Sequence, residues 1–277
     1  KHVIWSKVSR FATPKAATVS VIIAALGAGA GLYISKDLKI GDLDAGAPEL
    51  WPDSRYNLDD KYVNEHYSVS ADVLVVMVET PEYACTESAA MQKMDRFMWH
   101  MENVPGVQSA LSVVAVSKRV NTGFNEGNWK WAALTRVQDI INNSVQTVPG
   151  GLVNTDCSLA PVIVFLDDHK AETLDRAVAA VEEFAAAEND PDVAEFILAS
   201  GNAGVEAATN ETIDHAQNMM KVLVYGVVSI LCLITFRSIR AVICIIVPLA
   251  LTSILCQALM TILGIGVKVA TLPVIAL

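Results

Sequence analysis

The sequence predicts a membrane α-helical bundle carrying a large external α+β domain between its first and second spanning helices. Three observations predict it. The 277 residues are 53% hydrophobic and only 18% charged, and their mean hydropathy is +0.40, unusual for a soluble chain of this length. The apolar excess is gathered into uncharged runs near the two ends. Between them, short β-branched runs alternate with segments of helical spacing.

The chain opens on a basic segment, residues 1–15, with Lys1, Lys7, Arg10 and Lys15. Residues 16–34 follow without a charge and are long enough to cross a hydrocarbon core of about 30 Å. A basic flank and the small residues Ala28 and Ala30 also fit a cleaved signal peptide, but the apolar run is long for one. Gly27 and Gly31 form a GxxxG beside Ala24 and Ala28, which suits close approach of another helix.

Residues 35–218 have the size of a domain. Strands are expected at 71–79, 107–116, 160–166 and 195–200, and helices at 86–103, 130–144, 171–188 and 205–218. The last helix is expected to run directly into the second spanning helix. Alternation of four strands with helices suggests a ferredoxin-like, split βαβ sheet.

The second span is read at 219–236, with Lys221 snorkelling to the interface, and a turn at 237–240. The third span is 241–264, with Pro248 as a kink. A fourth apolar run starts at 269 and stops at 277, so the sequence is expected to end inside a fourth helix. Lys/Arg excess marks the cytoplasmic side, which places the N-terminus and the Arg237/Arg240 turn inside and the 35–218 domain outside.

The formal charge is −10 with no basic patch in the external portion, which argues against nucleic acid as a partner. Of the five cysteines, Cys232, Cys244 and Cys256 fall within spans, where they read as small packing residues. Cys85 and Cys157 are the external pair, and a disulfide between them is expected outside the cytoplasm.

Other chemistry-bearing residues have plain structural readings. Met91, Met94, Met98 and Met101 lie at helical spacing near Phe97. Thioethers suit Cu(I), but a domain core or an adaptable apolar wall explains the stripe better. Asp167, Asp168 and His169 resemble a metal cluster only on paper and read as a solvated turn at a strand end. Trp129 and Trp131 read as packing at a helix start, and Asn210-Glu211-Thr212 matches a glycosylation sequon. No P-loop, dinucleotide glycine fingerprint or nucleophile elbow occurs. The sequence makes no case for an enzyme, a cofactor or a metal.

The residues Phe236-Arg237-Ser238-Ile239-Arg240-Ala241, and Leu272-Pro273-Val274-Ile275-Ala276-Leu277 opening the fourth run, resemble the resistance–nodulation–division (RND) transporters. Ser200-Gly201-Asn202-Ala203-Gly204-Val205, leading into Ala208-Thr209-Asn210-Glu211, is similar to their hydrophobe/MMPL-type exporter branch. The resemblance covers essentially the whole chain. The signature turn Phe236, Arg237, Ser238 and Arg240 is its most diagnostic piece.

The resemblance implies a secondary transporter of the bacterial inner membrane with a periplasmic porter domain. Proton entry would drive efflux of hydrophobic small molecules or lipids. It also implies a second half completing the transporter, with homo-oligomers or accessory subunits as further partners. The family's proton-relay acid lies beyond Leu277, and the three complete spans hold no Asp, Glu or His, so no relay residue is assigned.

An ABC-type permease with a large periplasmic domain has the same visible topology and is the alternative. RND relatives that handle lipids or sterols, or assist protein export, share the scaffold. A two-helix chemoreceptor is excluded by the third and fourth apolar runs.

Overall fold

The computed structural model describes residues 13–272. Lys1, Lys7 and Arg10 of the basic segment, and residues 273–277 of the fourth apolar run, lie outside them. In chain order the elements are α1 (Pro14–Ile34), α2 (Arg55–His66), β1 (Val73–Glu79), α3 (Ser88–Glu102), β2 (Val107–Leu111), α4 (Val113–Phe124), α5 (Gln138–Val145), β3 (Leu159–Leu166), α6 (Ala171–Glu188), β4 (Glu195–Ser200), α7 (Asn202–Phe236) and α8 (Ile239–Leu263). Short 3-10 turns stand at Ser35–Asp37 and Trp129–Trp131. One compact unit is Asp44–Thr209; the other comprises the flanking segments, through Leu43 and from Asn210.

In the Asp44–Thr209 unit the strands form a single sheet in the order β2-β3-β1-β4, with every neighbouring pair antiparallel. Strand periodicity decides which side chains are buried. Leu74, Val76 and Val78 of β1 and Ala160, Val162, Val164 and Leu166 of β3 are buried, while their alternate neighbours are half-buried. Helices α3 and α6 share the core with that buried face. Phe97 of α3, Phe184 of α6 and Phe196 of β4 form a ring triangle with centroids 5.1, 4.8 and 5.0 Å apart. These are favourable edge and tilted aromatic distances. Met91, Met94 and Met101 are fully buried in this core, which accounts for their spacing along α3.

Three sequence expectations are corrected here. The strand expected to reach residue 116 ends at Leu111, because the Ser112 hydroxyl accepts from the Val114 amide (3.1 Å) and caps α4. The valines that read as strand instead bury one face of a helix, with Val113, Val114 and Ser117 inward. The helix expected at 130–144 is a single 3-10 turn followed by the shorter α5. Trp129 does not pack at a helix start and is 86% exposed.

Helix α2 has no counterpart in the sequence reading. It buries no side chain, so no apolar stripe announces it. Its support is mostly local, from the Ser54 cap, the Arg55–Asp59 and Lys61–Glu65 pairs at i,i+4, and Tyr62 stacked on His66 at 4.1 Å, with Asn64 tying it to the sheet end by donating to the Asp167 carbonyl (3.3 Å) and accepting from Gln108 Nε2 (2.9 Å). Cys85 and Cys157 are joined by a disulfide with Cα atoms 5.1 Å apart. The Thr80 amide donates to the Ser158 carbonyl (2.9 Å), extending the β1–β3 register by one pair, and the Cys85 amide donates to the Cys157 carbonyl (2.9 Å) out of that register.

In the other unit, α1, α7 and α8 are each long and apolar enough to cross a membrane, by length and composition. The GxxxG of α1 packs on α8: a Cβ on Gly31 would stand 2.9 Å from Ile254 Cγ2, and one on Gly27 4.0 Å from Leu255 Cδ2. Pro248 lies inside α8 without ending it. The Thr252 hydroxyl donates to the Pro248 carbonyl (2.9 Å) in that turn. Gly264, at φ +67°, closes α8 in the left-handed conformation that glycine adopts without strain. Val267 then pairs parallel with Ile40, and Lys268 is ion-paired with Asp42.

Candidate functional site

A titratable centre lies at one end of the sheet in the Asp44–Thr209 unit. Asp72 immediately precedes β1, and His169 stands in the loop between β3 and α6; both are buried. His169 Nδ1 lies 3.0 and 3.1 Å from the two carboxylate oxygens of Asp72, so the ring N–H donates to the carboxylate. The expectation that residues 167–169 form a solvated turn fails at His169, which folds inward. Asp168 does stay at the rim, paired with Lys170 Nζ at 3.2 Å.

Two further carboxyls, Glu206 and Asp60, feel this pair. The hydrogen bond that its ring N–H donates to Asp72 holds the His169 imidazole above its ordinary value, against the opposing effect of burial and with help from the charges of Asp72, Glu206 and Asp168. Burial raises the Glu206 carboxyl; the His169 charge opposes this, and Asp72 and Glu49 reinforce it. Burial likewise raises Asp60 of α2, with Asp72 adding to the rise and His169 opposing it. Asp168 behaves differently. Burial would raise it, but hydrogen bonds from Thr173 and Lys170 together hold it below the ordinary carboxylate value.

The Ser200-Gly201-Asn202-Ala203-Gly204 motif builds the same end of the sheet. Gly201 has φ +91°, and a Cβ there would stand 2.1 Å from the Val73 carbonyl oxygen, so only glycine fits. Asn202, the first residue of α7, accepts from the Val73 amide (2.8 Å). Its Nδ2 donates to the Ala71 carbonyl (2.9 Å) and reaches Asp72 Oδ1 at 3.4 Å. Ala203 is fully buried, and Gly204 leaves room for Leu74. The motif therefore acts as a backbone clamp between α7 and the start of β1.

A groove of about 1000 Å³ lies elsewhere in the same unit, where α3 and α4 meet β2. Its apolar lining includes Met98, Trp99, Leu111, Trp129 and Phe165. Trp99 is 69% exposed, which is costly for a large apolar side chain with nothing to cover it. Charged neighbours of both signs also line the groove. Lys118 is ion-paired with Asp95, and Arg96 reaches Glu188 at 2.7 Å.

The signature turn is a helix reversal. Arg237 adopts φ +48° and its amide donates to the Leu233 carbonyl (2.8 Å), closing α7. Ser238 then occupies the N-cap position of α8, and Arg240 lies in the first turn. This turn belongs to one compact unit and the Asp72–His169 centre to the other. Sequence reasoning singled out His169 but not Asp72, Asp60 or Glu206. The only signal for Asp72 is an acid at the mouth of an apolar strand.

The comparisons agree with the architecture. The MMPL family profile matches residues 59–276, a span that includes the whole sheet, α7 and α8. No curated protein matches the chain. A match over most of the sequence, with three membrane-length apolar helices among the described residues, places it plainly: the chain belongs to the MMPL family of RND-type membrane transporters.

Proposed function

We propose that the chain is part of a proton-driven exporter of hydrophobic molecules or lipids in a bacterial inner membrane. Residues 35–218 form its periplasmic porter domain, and 16–34, 219–236 and 241–264 are its first three spans. The family match carries this reading, since it extends continuously from the soluble unit through the spanning helices. Strand order β2-β3-β1-β4 with antiparallel neighbours supports a ferredoxin-like porter domain, because a split βαβ pair generates that order.

The position of the cations supports the orientation. Arg237 and Arg240 stand between two apolar helices, and a basic turn of that kind is retained on the cytoplasmic side. The groove walled by Trp99, Trp129 and Met98 is suited to a hydrophobic cargo, because aromatic and thioether side chains adapt to varied apolar shapes. The proton-relay residue is unassigned, and Phe236–Arg240 acts as a structural reversal rather than a substrate contact.

The test is transport by the intact protein in sealed proteoliposomes loaded with a fluorescent hydrophobic probe. An imposed proton gradient is expected to drive probe movement, and a protonophore to abolish it. Movement that ignores the gradient but requires ATP and a partner ATPase would favour the ABC-permease alternative.

A further inference from the structure

Two helical stripes line the groove between α3 and α4. On α3 the stripe is Asp95, Met98, Trp99 and Glu102; on α4 it is Ala115, Lys118, Arg119 and Thr122. Both keep the i, i+3, i+4, i+7 spacing of a single helix face. The helices run in opposite directions. The Ser112 hydroxyl donates to Met98 Sδ (3.0 Å) while Lys118 is ion-paired with Asp95, so numbers rise along α4 as they fall along α3. Glu102 therefore stands at one end of the groove, and Arg119 and Thr122 at the other.

The segment after α4 folds back on the Arg119 end. The Gly127 amide donates to the Thr122 carbonyl (2.9 Å), and Asn121 Nδ2 donates to the Trp131 carbonyl (3.2 Å). Trp129, which lines the groove, is carried there with them. The apolar lining thus runs from Trp129 at the Arg119 end, through Trp99 and Met98, to Leu111 beside Glu102.

Charge is uneven along this path. Lys118 is neutralised by Asp95, and Arg96 by Glu188 at 2.7 Å. Among the described residues no ion pair engages the exposed Arg119, nor Glu102 at the opposite end. The lining as a whole holds the cations Arg96, Lys118 and Arg119 against the anions Asp95 and Glu102, so cations prevail, and they gather at one end. A wholly apolar cargo would cover Arg119 without pairing it, which is costly. A carboxylate suits it better, because a guanidinium grips one through two parallel N–H···O bonds.

We propose that the groove selects amphiphiles with a carboxylate head, held by Arg119 beside Trp129, with the chain lying along Trp99 and Met98 toward Leu111. This rests on reading the groove as a cargo site and adds the chemical class and the orientation. Glu102 fixes the orientation by repelling a head that enters from its end.

The test is photolabelling of the intact protein in nanodiscs at about pH 8, where a carboxylate is ionised. Three probes carry a diazirine on a dodecyl chain: dodecanoate, dodecyl trimethylammonium and dodecyl maltoside. Labelling of α3–α4 peptides is expressed relative to the spanning helices of the same sample, which removes differences in membrane partitioning. Dodecanoate is expected to label α3 and α4 about tenfold more than the trimethylammonium probe, with the maltoside between them, the size of one charge-assisted hydrogen bond. Arg119→Gln should erase that preference, Arg119→Lys should restore part of it, and Glu102→Gln should keep it.

Equal labelling by the three probes, a preference for the cation, or an anion preference that survives in Arg119→Gln overturns the head-group selection and leaves the cargo reading standing. Absence of α3–α4 labelling by every probe overturns both. If Arg119→Gln does not fold, salt decides: between about 50 mM and about 500 mM the wild-type preference should collapse by screening, and persistence overturns it.

Discussion

Gly201 stands directly against the backbone of Val73: a Cβ at residue 201 would come within 2.1 Å of the Val73 carbonyl oxygen and 3.1 Å of the Val75 amide nitrogen. The contact joins the end of β4 to the edge of β1, and backbone atoms cannot move aside as a flexible side chain would. Gly201→Ala combines this collision with a φ of +91°, so a loss of at least about 2 kcal/mol is expected. A thermal unfolding curve of the purified protein checks it. An unchanged midpoint would show that the clamp is not tight.

Two glycines of α1 should respond oppositely. A Cβ on Gly31 would stand 2.9 Å from Ile254 Cγ2, while one on Gly29 meets nothing within 4 Å. Gly31→Leu should weaken the α1–α8 contact by about 1–3 kcal/mol through overpacking. Gly29→Ala should be neutral or stabilising by up to about 1 kcal/mol, from helix propensity alone. Thermal stability of the two variants in the same detergent makes the comparison.

The disulfide between Cys85 and Cys157 closes a loop of 72 residues. Loop-closure entropy puts the loss on replacing both cysteines by serine at about 4 kcal/mol. Denaturant unfolding with and without a reductant measures it, and peptide mapping without reduction should recover the two segments linked.

Stability should depend on pH in a defined direction. His169 is raised, so its contribution is fully present below the unfolded histidine value and is lost as pH rises through the folded one. Raised Glu206 and Asp60 act in the same sense at lower pH, because the folded state again holds the extra proton. Asp168 opposes them, adding stability above the unfolded carboxylate value that is lost on acidification through its lowered one. Unfolding midpoints should therefore fall from mildly acidic toward alkaline pH, and His169→Gln should flatten that fall. A wild-type midpoint that rises across this window would contradict the assignment.

The groove makes a separate prediction. Trp99→Ala and Trp129→Ala each remove an exposed apolar wall, and each should weaken binding of a hydrophobic probe about five- to tenfold through lost buried area. Tryptophan fluorescence quenching by a brominated amphiphile reads the wild-type contact. Equal affinity in wild type and both variants would place the cargo elsewhere.

The spanning helices were legible in the sequence, because crossing a membrane requires an unbroken apolar run, and that property is written in consecutive residues. Also legible were the buried strands at β1 and β3 and the helices α3 and α6, whose periodicities are local. The start of α4 is misread from sequence because a local Ser112 cap and burial of Val113 and Val114 in the domain core together outweigh the strand propensity of these valines. Helix α2 escaped notice because it buries nothing and leaves no apolar stripe to read. The Asp72–His169 pair was illegible for a stronger reason. Its partners are 97 residues apart, and a histidine beside two acids reads as a solvated turn until β1 and β3 align and fold it inward.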